Sequence, residues 1–176
     1  MLFTRKGDGG TSGLYGTGER LPKDSSVFEA LGTLDELNSL LGVCYAAARK
    51  SEEEGAAVLV RAVQETLFII QAELAGARKA VEERAVDALE GAIGGLEKKI
   101  ENPHSFVIAG ETELAALFDY ARAVSRRAER RVIAADPFRP VSPATRKYLN
   151  RLSSLLYALA RSAAASKKAA EKEPSY

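Results

Sequence analysis

The chain has 176 residues, 46% of them hydrophobic and 28% charged, with a formal net charge of +1. That length favours one domain with a sizeable core, and the near-neutral charge argues against a general nucleic-acid binder, so any basic function must come from a local cluster. A lone cysteine, Cys44, and a lone histidine, His104, exclude an intrachain disulfide framework and a Cys/His zinc site.

Residues 1–24 come first, rich in glycine and charge and without helical period. The opening MLFTRKGD holds no signal-peptide apolar run, and no stretch approaches the roughly 18 uninterrupted apolar residues of a membrane span. The expectation is a cytoplasmic protein with neither a membrane nor a nucleic-acid partner. "RKGDGGTSG" is neither a P-loop, since no G-K-[ST] follows, nor a dinucleotide fingerprint, since no strand precedes it. Its chemistry still suits an anion. Glycines let backbone N–H groups converge, Thr11 and Ser12 add hydroxyls, and Arg5, Lys6 and Lys23 add charge. The plain alternative is a disordered leader.

Helices follow. Ser26 and Glu29 read as a capping box, and Leu31, Leu34, Leu37, Leu41 and Tyr45 recur at helical spacing, which predicts a helix over 26–50. Asp35, Glu36 and Asn38 interrupt its leucines; Asp35 either faces the core, where it needs a cation, or is half exposed. A second helix is expected over 56–80 and a third over 82–101, weakened at Gly94-Gly95 and stopped by Asn102-Pro103. A loop over 103–112 carries Phe106-Val107-Ile108. The fourth helix spans about 112–135. Ser142 caps the fifth, with Pro143 at its first position, and the helix runs into an Ala/Lys/Glu-rich tail that frays from about 166. No strand pair is convincing, so the expectation is a single all-α domain, an antiparallel five-helix bundle with a four-helix-like core behind a glycine-rich loop.

The fourth helix carries "ARAVSRRAERR". Arg122, Arg126 and Arg130 stack at i, i+4 and i+8, with Arg127 and Arg131 in a second row. Like charges so placed repel by a few tenths of a kcal/mol per pair, so acidic neighbours or an anionic ligand should offset them. One reading is a solvated face. The other is a polyphosphate site, because the guanidinium fork donates paired hydrogen bonds and stays charged. Glu129 within the stripe is suited to orient an arginine or hold a metal ion. Asn150 in helix five is either satisfied structure or a reader of a base or ribose.

Three segments, "TRKGDGGTSGLYGTGERLPKDSSVFEALGTLDELNSLLG", "ARAVSRRAERRVI" and "YLNRLSSLLYALAR", together resemble, in order and spacing, the PduO-type ATP:cob(I)alamin adenosyltransferases. The resemblance spans nearly the whole chain. It implies a five-helix bundle assembled as a homotrimer with ATP between subunits, and transfer of the 5′-deoxyadenosyl group from ATP, with Mg²⁺, to cob(I)alamin or a related corrinoid. It also implies a corrinoid reductase or flavoprotein as electron donor and an adenosylcobalamin-dependent enzyme as recipient of the product. By resemblance, Thr4, Arg5, Lys6, Gly7, Asp8, Gly10, Thr11 and Ser12 match the ATP loop, and Lys23 a phosphate-contacting lysine. Arg126, Arg127, Glu129 and Arg130 match the ATP-binding R-R-A-E-R. Arg122 matches an arginine that pairs with the aspartate at Asp35, Asn150 an asparagine near the nucleotide, and Phe106 the aromatic on the lower axial face of the corrin. Arg122, Arg126, Asp35 and Phe106 are the catalytic candidates. Many members read F-x-L-P-G-G where this chain reads Phe106-Val107-Ile108-Ala109-Gly110-Glu111. The alternative from another class is a non-catalytic nucleotide- or RNA-binding helical module using the same arginines.

Overall fold

The computed structural model describes residues 3–100, 106–170 and 172–175. Its elements are a short hairpin, β1 (Thr11–Gly13) and β2 (Arg20–Pro22), then α1 (Ser26–Lys50), α2 (Glu54–Leu74), α3 (Glu83–Glu97), α4 (Glu113–Ala135) and α5 (Pro143–Ser166). The five-helix expectation holds. His104 and the Asn102-Pro103 stop lie outside the described residues.

Local chemistry accounts for the helix ends. Ser25, not Ser26, caps α1, its hydroxyl accepting from the Phe28 N–H at 3.4 Å. The cap therefore lies one residue earlier than the sequence pattern placed it, and the Ser26–Glu29 capping box does not form. Helix α2 stops at Leu74 rather than 80, and Gly76 follows with φ +96°, a left-handed conformation that favours glycine. Thr112 caps α4 and Ser142 caps α5 through the Ala115 and Thr145 amides. Glu73 at the end of α2 adds a second cap to α5. Its carboxylate accepts from the Ser142 N–H at 2.6 Å and the Thr145 hydroxyl at 2.5 Å.

Helix α1 packs on α2 and α4, α4 on α5, and α5 on α3. Cross-helix bonds give the directions. Glu29 and Glu36 of α1 meet Arg131 and Arg127 of α4, so those helices run antiparallel. Asp119 and Glu129 of α4 meet Arg161 and Asn150 of α5, again antiparallel. Glu83 and Glu90 of α3 meet Lys147 and Arg151 of α5, so α3 lies parallel to α5. The core is continuous from Leu14 to Ala164, with Leu34, Leu37, Leu41, Leu67, Ile70, Phe118, Leu152 and Leu155 fully buried. Each such side chain contributes about 2 kcal/mol of hydrophobic free energy. Helix α2 has the length and apolar composition to cross a membrane, but Arg61 and Glu65 sit within it and Val60, Val63, Leu67 and Ile70 are buried in the bundle.

The hairpin departs from the sequence expectation. Thr11, Ser12 and Gly13 pair antiparallel with Pro22, Leu21 and Arg20. Strands of three residues are too short to show an alternating pattern, which is why periodicity does not reveal them. Leu14, 3% exposed, plugs this segment into the core. A second tie joins Glu19 to Arg139, in the link between α4 and α5.

Candidate functional site

The hairpin holds a glycine turn on its open side. The Asp8 N–H donates to the Arg5 carbonyl at 3.3 Å, and the Gly10 N–H to the Gly7 carbonyl at 3.2 Å. The Lys23 N–H closes the base by donating to the Gly10 carbonyl at 2.9 Å. Gly10 sits at φ +79°, which favours glycine. At Gly7 an added Cβ would lie 3.1 Å from Nζ of Lys23, an exposed side chain able to shift aside. The Lys23 ammonium thus lies over Gly7. The N–H groups of Gly7 and Gly9 have no hydrogen-bond partner among the described residues. Amides without a partner among the described residues, near an ammonium, are suited to an anion. Thr4, Arg5, Lys6, Asp8, Thr11 and Ser12 surround it, Thr11 and Ser12 partly buried in β1 and the rest exposed.

The arginine stripe divides in two. Arg127 donates to the Glu36 carboxylate, and Arg131 pairs with Glu29 at 3.2 Å. Both acids come from α1, as bundle partners that offset the repulsion of the stripe. Arg126 and Arg130 are exposed and have no hydrogen bond or ion pair among the described residues. They lie one turn apart on one face, so their mutual repulsion is left standing. Beside them Glu129 accepts from the Asn150 amide at 3.0 Å. Asn150 in turn accepts from Arg151 at 3.3 Å, and Arg151 pairs with Glu90 of α3 at 2.9 Å. The Asn150 side chain is therefore held by a chain of bonds crossing three helices, with its residue exposed rather than on an apolar face.

Of the two sequence readings of Asp35, the structure takes the exposed one. Asp35 does not face the core; it is exposed and without an ion-pair partner among the described residues. The acids of α1 that meet the stripe are Glu29 and Glu36, because the helical rotation carries Asp35 off the α4 side. Nor does Arg122 pair with Asp35 within this chain: its partner is Asp119, 3.7 Å away on its own helix. Asp119 is also held by Arg161 at 2.5 Å, an arginine only 4% exposed and stacked 5.1 Å from the Tyr157 ring. Arg122 then lines a cleft of about 250 Å³ with Glu97, Ile100, Ser153, Ser154 and Tyr157.

Sequence reasoning missed this Asp119–Arg161 pair and the cleft beside it. One signal was available: Arg161 interrupts the apolar run "LLYALARSAAA", and an arginine buried there needs an acid. Phe106 is 78% exposed, an aromatic with no place in the core. Its loop is tied to the C-terminal tail by the Ile108 N–H donating to the Lys172 carbonyl at 2.8 Å. No group of three metal-ligating side chains occurs among the described residues. Burial pushes the Cys44 thiol up to about 12, which removes it as a nucleophile.

The model of the cobalamin adenosyltransferase family matches residues 2–163. Corrinoid adenosyltransferase PduO of Salmonella typhimurium is 40% identical over 167 residues, covering 91% of this chain and 48% of the relative. A corrinoid adenosyltransferase of Citrobacter freundii is 38% identical over 167 residues, covering 91% of this chain and 93% of that one. Corrinoid adenosyltransferase MMAB of Homo sapiens is 35% identical over 173 residues, covering 93% and 68%. The chain spans about half the length of the two PduO relatives it matches. Among solved structures, a phenylalanine-to-histidine variant of the PduO-type ATP:corrinoid adenosyltransferase from Lactobacillus reuteri, complexed with cobalamin and ATP, superposes with a TM-score of 0.91 at 25% identity, covering 99% of this chain and 96% of that one. An arginine-to-lysine variant of that enzyme, complexed with ATP, gives a TM-score of 0.91 at 25% identity, covering 99% and 100%. With its arginine helix and glycine hairpin inside the matched range, this chain belongs to the cobalamin adenosyltransferase family.

Proposed function

We propose that the protein transfers the 5′-deoxyadenosyl group of ATP to the cobalt of cob(I)alamin or a related corrinoid, giving adenosylcobalamin and triphosphate. The observation that carries this is the pair of exposed guanidinium groups on Arg126 and Arg130, without a partner among the described residues and flanked by arginines that do have partners. Two adjacent cations left uncompensated in a chain of net charge +1 call for an anion.

In this reading the cobalt(I) of the corrinoid substrate attacks the 5′ carbon. A cobalt–carbon bond forms from the cobalt electron pair, the 5′ carbon–oxygen bond breaks, and its pair leaves with the triphosphate oxygen. Cobalt ends formally two electrons more oxidised. The leaving group carries about four negative charges. Arg126, Arg127 and Arg130, Lys23 and the free amides of the glycine turn stabilise that charge as it develops. Thr4, Arg5, Lys6, Asp8, Thr11 and Ser12 complete the loop around the phosphates. Glu129 fixes Asn150, which addresses the nucleoside. Glu129, the carboxylate nearest in sequence to the free arginines, would help hold Mg²⁺, which would supply further positive charge beside the triphosphate. No general base is needed, which accords with a buried, neutral Cys44. Phe106 packs against the lower face of the corrin and holds cobalt without its axial base, which raises the potential and makes reduction to cobalt(I) feasible.

The same reading places three copies in a homotrimer, with ATP between the hairpin of one subunit and the α4 arginines of the next. Asp35, exposed and unpartnered, and Arg122, whose side chain is 38% exposed, then meet across the interface. A reductase or flavoprotein supplies cobalt(I) in the cytoplasm, and an adenosylcobalamin-dependent enzyme takes the product. A helical RNA-binding module finds no support among the relatives, which are corrinoid adenosyltransferases.

The test is an anaerobic assay with ATP and chemically reduced cobalamin, following the visible spectrum for the cobalt–carbon product. Absence of product under reducing conditions overturns the proposal.

A further inference from the structure

Arg20, though exposed, spends its Nε and Nη2 donors on the hairpin's own backbone and hydroxyl. Its Nη2 donates to the Lys6 carbonyl at 2.6 Å, the Thr11 carbonyl at 2.9 Å and Thr11 Oγ1 at 3.0 Å, and its Nε reaches Thr11 Oγ1 at 3.2 Å. A guanidinium so engaged is not laid out as a phosphate ligand. It ties Lys6, which lies outside both strands and beyond the reach of the β1–β2 ladder, to Thr11 of β1 and to its own strand β2.

The consequence follows from peptide planarity. In a trans peptide the carbonyl of one residue and the N–H of the next point in opposite directions. Holding the Lys6 carbonyl against Arg20 therefore aims the Gly7 N–H the other way, away from the Arg20 guanidinium. Without that hold the Lys6–Gly7 peptide is free to rotate, since glycine opposes no φ. Thr11 is fixed in the same manner. Its hydroxyl oxygen accepts from Arg20, which leaves its single O–H proton for an acceptor elsewhere.

We propose that Arg20 is a positioning residue for the triphosphate: it binds no phosphate itself but aims the Gly7 amide and the Thr11 hydroxyl at it. This rests on the ATP-dependent reading of the site. The rival role is a plain positive charge attracting the nucleotide, and the two separate by chemistry. Lysine keeps the charge and loses the planar fork; glutamine loses the charge and keeps a planar pair of N–H donors.

The experiment is calorimetric titration of the full chain and its Arg20→Lys, Arg20→Gln and Arg20→Ala variants with ATP, with inorganic triphosphate and with adenosine. The expected result is ATP and triphosphate binding weakened about tenfold or more in Arg20→Lys and Arg20→Ala, consistent with the loss of one hydrogen bond to a charged group. Arg20→Gln falls between these and the parent, and adenosine binding stays level throughout. Far-ultraviolet circular dichroism should stay unchanged. Wild-type binding by Arg20→Lys, with Arg20→Gln as poor as Arg20→Ala, overturns the proposal in favour of simple charge. Equal loss for adenosine and triphosphate overturns it in favour of a general collapse of the hairpin. Parent protein that binds ATP but transfers nothing sinks the transferase reading while leaving Arg20 in place; parent protein that binds neither ATP nor triphosphate sinks both.

Discussion

Arg126 and Arg130 lie one position before Arg127 and Arg131 on α4, yet the two pairs are in opposite situations. The second pair is tied to Glu36 and Glu29 of α1, and the first has no partner among the described residues. One residue is about 100° of helical rotation, enough to move a side chain from the α1 seam to open surface. A run of arginines thus divides between a row tied to α1 and a row left open on the surface. Residue type alone does not separate them; their neighbours do.

The contrast is open to breakage, and the largest effect belongs to the free pair. Arg126→Ala or Arg130→Ala should lower adenosyl transfer by a hundredfold or more, if each guanidinium stabilises developing charge by about 3 kcal/mol. The circular dichroism of the bundle should be unchanged, since neither side chain is in the core. Retained activity in these variants would erase the division between the rows.

Next comes a buried relative of the stripe. Asp119→Ala removes the carboxylate that holds Arg161 and Arg122, and with it a hydrogen bond to a guanidinium only 4% exposed. Stability should fall by roughly 3 kcal/mol, which for a chain of this size lowers the melting temperature by about 10 °C. Thermal denaturation followed by circular dichroism reads it directly.

A smaller effect concerns pH. The Val141 N–H and then Arg146 hold the Asp136 carboxyl below its usual range in the α4–α5 link. Because the folded-state value is depressed, the stabilisation is present above the ordinary aspartate range and is lost as pH falls through the folded value. Denaturant midpoints measured from neutral to acidic pH should decline less steeply in Asp136→Asn than in the parent.

The smallest effect belongs to the fastened row. Arg131→Ala breaks an exposed pair with Glu29, whose side chains are 49% and 53% exposed. It should change stability by no more than about 0.5 kcal/mol and activity by less than the free pair does. A loss of transfer as deep as that of Arg126→Ala would show that the α1 acids release Arg131 to the nucleotide.

Much of this was legible in the chain. Leucine spacing and Pro143 behind Ser142 located helices because such signals are local, resolved within a turn or two. The hairpin was not legible, because three-residue strands carry no period and are fixed by Leu14, Arg20 and Glu19 reaching distant partners. The choice between the two readings of Asp35 has the same origin. Leucines at positions 31 and 34 flank it in sequence, but Leu31 is itself only partly buried and the seam to α4 runs through Glu29, Thr33 and Glu36 instead.

By itself, then, the sequence determined five helices, a glycine turn fit for an anion, a stack of arginines and the family to which these motifs belong. Those follow from short-range sterics, from hydrophobic spacing and from what guanidinium and glycine can do. Only the tertiary structure decided which arginines stay free, which carbonyls Arg20 holds and which acid Arg122 meets. Each of those is an interaction between surfaces that come together when the helices pack, and its outcome turns on a helical rotation of one residue.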